Sequence, residues 1–194
     1  MMIPKNPFRR TLAVALPGVV AVLAGCGDDF GPGDWDADVD TIALFAIERP
    51  ELQGLPGAYD FINQRLRALE DLGSFGEWDI ALDDAEGGGL QLLTPGAIDG
   101  LEASSGIARV DDRSFEGLER APADTARYER NAPVPLVDGT VFVVRTRLDP
   151  RFASCVRYVK MELVESDPVN GTASLRYTRN PFCDDRALVP PDER

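Results

Sequence analysis

The chain has 194 residues, with 33 acidic against 20 basic side chains, a formal charge of −13 and no histidine. Such acidity repels nucleic-acid phosphates and anionic lipid surfaces, so nucleic acid is excluded as a partner. Without histidine there is no Ser-His-Asp or Cys-His catalysis and no His-ligated zinc or haem, which leaves any catalysis to carboxylates, Lys, Tyr, Ser or Thr.

Lys5, Arg9 and Arg10 precede an apolar run from Thr11 to Ala24, which closes on Leu23-Ala24-Gly25-Cys26. A basic start, a short apolar middle and small residues before a cut form the layout of an export signal. The run is shorter than the roughly 20 apolar residues of a spanning helix, and Pro17 and Gly18 argue against a buried core helix. The four closing residues resemble the lipobox of bacterial lipoproteins. That resemblance implies removal of residues 1–25 and acylation of Cys26. The product would be a membrane-anchored protein of the bacterial cell envelope. Gly27 stands where an aspartate would resemble the inner-membrane retention signal, so the expected place is the outer membrane, on its periplasmic or surface side. An exported chain with a chance cysteine is the alternative. Loss of Lys5, Arg9 and Arg10, the only charges before Cys26, takes the formal charge from −13 to −16.

Residues 26–40, rich in Gly and Asp, read as an acidic flexible tether. Asp34, Asp36, Asp38 and Asp40 alternate like the start of a calcium loop. Val39 stands where that loop needs Gly, and Phe45 where it needs Glu, so a charged spacer is the stronger reading. Residues 41–186 read as one β-rich domain. Thr41 to Glu48 is the first predicted strand. Ala58 to Leu72 is open to two readings. Tyr59, Ile62, Leu66 and Leu69 fall at helical spacing, which slightly favours a helix; two short strands around Asn63-Gln64 are the alternative. Trp78 to Leu82 reads as a strand with Trp78, Ile80 and Leu82 on one face, returned by Leu90 to Thr94 after a Gly-rich turn. Gly106 to Val110 and Ser114 to Glu119 are short strand or turn segments, and Ala121 to Pro133 is loop.

Thr140 to Arg147 is a β-branched strand. Val156 to Glu165 alternates, with Val159, Met161 and Leu163 on one face and Lys160 and Glu162 on the other. Asn170-Gly171 is a hairpin turn, and Thr172 to Thr178 returns with Ala173, Leu175 and Tyr177 on one face. Residues 187–194 read as a loose tail. With Cys26 lipidated, Cys155 and Cys183 remain; an even pair in an exported chain reads as one disulfide, which the hairpin between them favours, with two free thiols as the alternative. The fold class is therefore all-β, a mostly antiparallel, sandwich-like domain.

Several segments in this order resemble the HmuY-like lipoproteins: Glu77 to Leu82, Phe115 to Leu118 leading to Ala121-Pro122, Val141 to Thr146, Arg157 to Met161, and Asn170-Gly171 leading to Leu175-Arg176-Tyr177. They span roughly Tyr59 to Tyr177. The resemblance implies a β-rich envelope domain, and a strand pair turning at Asn63-Gln64. Members of that family capture haem through His or Met. Here Met161 is the only methionine left after the signal, and its strand face places it in the core. No cofactor and no metal site is expected.

The remaining candidates have plain structural readings. Trp78-Asp79 reads as a core indole beside a solvent-facing carboxylate. Asp83-Asp84, Asp111-Asp112 and Asp184-Asp185 are acid pairs in loops, where acids are mostly solvated. Arg145, Arg147, Arg157 and Arg176 lie on neighbouring strands and are expected to pair with acids rather than bind an anion. Ser104-Ser105-Gly106 lacks a nucleophile elbow, and Gly87 to Gly89 lacks the Lys-Ser/Thr of a phosphate loop. The expected role is non-catalytic: binding a small ligand or an envelope protein. A carboxylate-dependent hydrolase of envelope glycans and a divergent haem carrier are the alternatives.

Overall fold

The computed structural model describes residues 35, 38–69, 76–152 and 154–191. The expected signal segment, the lipidation site Cys26, most of the tether, Asp34 and Asp36 lie outside the described residues. The described residues form an all-β domain without α-helix; three-residue 3-10 turns lie at Pro50–Leu52, Pro95–Ala97 and Thr125–Arg127.

Ten strands make two antiparallel five-stranded sheets. They are β1 (Asp40–Phe45), β2 (Ala58–Asp60), β3 (Arg65–Arg67), β4 (Ile80–Asp84), β5 (Leu90–Leu93), β6 (Gly106–Val110), β7 (Val134–Pro135), β8 (Val141–Arg145), β9 (Tyr158–Asp167) and β10 (Thr172–Arg179). The first sheet has the order β1-β10-β9-β8-β6 and the second β3-β2-β4-β5-β7. Alternation along each strand sends one apolar set inward. Ile42, Leu44, Phe142, Val144, Val159, Met161 and Leu175 from the first sheet meet Tyr59, Ile80, Leu82, Leu90 and Leu92 from the second. Met161 is fully buried there, as its position on β9 predicts.

The outer faces are also covered. Val141, Val143, Val110 and Tyr158 pack under Phe115, Leu118, Ala121, Tyr128 and Leu188. That second layer explains why β8 is an unbroken apolar run: its first four residues are buried, whichever face they point to. It also corrects the expected loose tail. Ala187 to Pro190 are buried, and the Leu188 N–H donates to Glu119 O at 2.7 Å. Lys160 points outward as predicted, yet lies buried with its Nζ 4.8 Å from the Phe115 ring centre. On the second sheet, Trp78, Ala58, Ala81 and Leu93 form a smaller outer cluster.

The helical reading of residues 58–72 gives way to a strand pair, β2 and β3, as the family resemblance implied. Asp60 decides it. Its Oδ1 accepts the N–H of Ile62 at 3.0 Å and of Asn63 at 3.1 Å, a side-chain turn that competes with a helix. Leu66, needed on the helical stripe, is 47% exposed. Gly57 is fixed by close approach: a Cβ there would sit 2.4 Å from Ile47 Cγ2. Arg49 fastens the two sheets at one end, donating to both carboxylate oxygens of Asp84 (2.7 and 2.6 Å) and to the carbonyls of Pro168 and Val169 (2.6 Å each). The disulfide Cys155–Cys183 joins the approach to β9 with the exit from β10. Closing that 28-residue separation contributes about 3.6 kcal/mol by chain entropy.

Candidate functional site

Two polar assemblies stand out, one sealed inside the protein and one open to solvent. The sealed one is built on Arg147, just past β8. Its Nη2 donates to Asp60 Oδ1 at 2.9 Å, its Nη1 to Asp79 Oδ2 at 3.1 Å, and its N–H to Asp79 Oδ1 at 2.8 Å. Asp79 also accepts the Phe61 N–H at 2.8 Å, and Asp60 accepts Asn63 Nδ2 at 2.8 Å. Both carboxylates are fully buried. Nearby, Asp149 accepts Arg157 Nη1 at 2.7 Å and Arg151 Nη2 at 2.9 Å.

Burial pushes Asp79 up to about 6, against the pull of Arg147. Asp60 is held below the ordinary carboxylate range, its burial outweighed by hydrogen bonds from Asn63 and by Arg147. Asp149 is held lower still by its bonds from Arg151 and Arg157. A raised carboxyl beside a lowered one is the pattern of an acid–base pair. Here, however, the oxygens of both acids are spent on arginine, asparagine and backbone donors, so the geometry describes structural glue.

The open assembly is a groove between β1 and β3, the two strands that edge their sheets on the same side of the sandwich. It has a volume of about 520 Å³ and is lined by Ile42, Ala43, Phe45, Tyr59, Leu66 and Tyr177, among others. The Tyr59 and Tyr177 hydroxyls share a 2.8 Å hydrogen bond. The Phe61 ring packs edge-on behind both, at 4.9 and 5.2 Å. Burial raises the pKa of both tyrosines, so the hydroxyl pair stays protonated and neutral at ordinary pH. A second cleft of about 290 Å³ shares Asp40, Gln64 and Tyr177 with the first and adds Trp35, Asp38 and Arg179. Gln64 lines both with φ at +52°, a left-handed conformation that costs a non-glycine residue about 1–2 kcal/mol.

The sequence candidates fall elsewhere. Trp78 is a buried core indole as expected, but it does not share a face with Ile80 and Leu82, and Asp79 is not solvent-facing. The chain bends at Asp79 before β4 begins, so Trp78 packs on the outer cluster and Asp79 turns inside. Asp83 is buried and accepts the Glu48 N–H at 3.4 Å, while Asp84 is held by Arg49. Asp111 takes Arg109 at 3.0 Å and Thr140 Oγ1 at 3.2 Å. Asp184 accepts the Val156 N–H at 3.5 Å and Asp185 the Ala187 N–H at 3.1 Å. These pairs stay in three separate places. Arg147, Arg157 and Arg176 pair with acids as expected, Arg176 with Glu162 and Glu116, whereas Arg145 keeps a buried Nε without a hydrogen bond.

Asp38 and Asp40, the described half of the alternating acids, lie along the second cleft. No group of three or more acidic, Cys or His side chains among the described residues is placed to hold a metal ion. No helix among them is long and apolar enough to cross a membrane. Sequence reasoning missed Asp60 and Asp149. The spacing Asp60-x-x-Asn63 was the available sign of the first, and the alternation Arg147-x-Asp149-x-Arg151 of the second. Compared with known proteins, the chain matches no family model, no curated protein and no solved structure.

Proposed function

We propose that this chain is a lipid-anchored, non-catalytic binding protein of the bacterial envelope, with a HmuY-like domain that lacks the histidines for haem. The observation that carries the binding role is the contrast between the two assemblies. Neither Asp60 nor Asp79, the facing acids at Arg147, lines the β1–β3 groove. The groove offers instead an apolar wall, a neutral tyrosine pair and a strand edge, features that hold a ligand without transforming it. The lipobox Leu23-Ala24-Gly25-Cys26 supports the anchor, and the oxidised Cys155–Cys183 pair agrees with an exported chain.

Growth on radiolabelled palmitate tests the anchor directly. The natural chain should carry label and Cys26→Ser should carry none; equal label in both would overturn the anchor. Haemin titration of the purified protein tests the departure from the family's ligand. The expected result is no shift of the Soret band, and a saturable shift would return haem to the reading.

A further inference from the structure

The four sheet edges of this sandwich are treated differently. On β6, Ile107 bridges to Glu129, exchanging N–H···O bonds of 2.9 and 2.8 Å. The edge strand β7 is two residues long and contains Pro135. The β3 edge is three residues long and carries Arg65 and Arg67. Bridges, prolines, short strands and charges are the usual ways to stop a sheet edge from pairing. On β1, six residues long, Asp40 stands at the start and a bond from Phe45 to the loop at Pro56 closes the end, and neither covers Thr41 or Ala43 between them.

The register shows what that edge presents. Ala46 N–H donates to Gly171 O at 2.8 Å, continuing the ladder in which Asp40, Ile42 and Leu44 face Tyr177, Leu175 and Ala173. The intervening residues Thr41, Ala43 and Phe45 therefore turn their N–H and C=O groups away from β10. Phe45 N–H is taken by Pro56 O at 3.2 Å. Among the described residues no backbone hydrogen bond is made by the outward groups of Thr41 and Ala43. They line the groove, opposite Leu66 and beside Tyr59 and Tyr177.

We propose that β1 takes up an extended, positively charged segment of a partner polypeptide as an added strand, with its apolar side chains against the groove; this rests on the reading of the groove as the binding site. Alternating outward N–H and C=O groups are complementary to another extended backbone. Asp40 is the single charged residue lining the larger cleft, and in the second cleft Asp38 and Asp40 outnumber Arg179, so that end of the site is net acidic and attracts a cation. A second copy is disfavoured by the like charge of −13 on each chain.

The probe is a labelled, end-capped heptapeptide, Lys-Val-Thr-Val-Thr-Val-Lys, and a counterpart with Glu at both ends, followed by fluorescence anisotropy on the full chain. Ala43→Pro removes one outward N–H and leaves the bonds of Asp40, Ile42 and Leu44 to β10. The lysine peptide should bind at least tenfold more weakly to Ala43→Pro, and the glutamate peptide at least fivefold more weakly to the natural chain. N-methylation of alternate peptide bonds should abolish binding without altering the protein, which keeps the test valid if Ala43→Pro folds poorly. Leu66→Asp separates the two claims. Binding lost in Leu66→Asp but kept in Ala43→Pro and with the N-methylated peptide overturns strand addition while the groove survives. Binding that none of these changes alters overturns both. Absence of binding, or a dimer of this chain that Ala43→Pro dissociates, also overturns the proposal.

Discussion

The Arg147 cluster and the β1–β3 groove lie in one domain and use the same kinds of group in opposite ways. In the cluster, two aspartates, an arginine and several N–H groups bond to one another. In the groove, a strand edge keeps donors and acceptors unspent beside a tyrosine pair. Chemical density alone therefore marks architecture here, and the proposed binding role rests on unused capacity. The cluster has the perturbed acid and the short distances, yet neither of its acids lines the groove.

The strongest way to break this contrast is to remove the centre of the cluster. Arg147→Met leaves Asp79 buried without its cation and Asp60 with only the Arg67 guanidinium at 3.6 Å, and should cost about 3–5 kcal/mol. The loss is read from the urea midpoint; a change under about 1 kcal/mol would show that the acids are wetter than the structure implies. Next comes pH. Asp79 holds its proton up to about 6 when folded, while in the unfolded chain it ionises near its ordinary value of about 4. The folded form binds more protons across that window, so the Asp79 contribution to stability falls as pH rises from about 4 to about 6. Asp79→Asn should remove roughly 2 kcal/mol of that fall, measured as the difference in unfolding free energy between about pH 4.5 and 6.5; an unchanged slope would mean that Arg147 overrides burial. Asp60 and Asp149, both lowered, act with the opposite sign and lose their contribution only below about pH 4. The smallest effect belongs to the groove. Tyr177→Phe deletes the 2.8 Å bond to Tyr59 and should cost about 1 kcal/mol, read from the melting midpoint. A cost as large as that of Arg147→Met would make the groove structural too.

Much of the sandwich was legible in the residues. Alternation on β9 and β10, the Asn170-Gly171 turn and the Gly-rich turn between β4 and β5 are local signals, and each strand formed where its pattern lay. The Cys155–Cys183 bond was legible for the same reason, since a hairpin brings its own ends together. What failed was set by distant contacts. Tyr59, Ile62, Leu66 and Leu69 carry a helical spacing that Asp60 cancels with its turn. The tail reads as loose because its partner, Glu119, is far away in the chain. Asp79 reads as exposed because the bend before β4 carries no glycine or proline. The groove was invisible for a similar reason: Tyr59 and Tyr177 stand 118 positions apart.

The Arg49 clamp has a mechanical consequence. Asp40, where the chain enters β1, lies opposite Tyr177, near the end of β10. Tension on the segment that enters β1, with the sandwich held, would therefore load that pair first and unzip β1 one rung at a time, taking the groove wall with it. The peeling would stop at Arg49, whose bonds to Asp84, Pro168 and Val169 would all have to rupture together. Under strain the groove would be dismantled while the rest of the sandwich held.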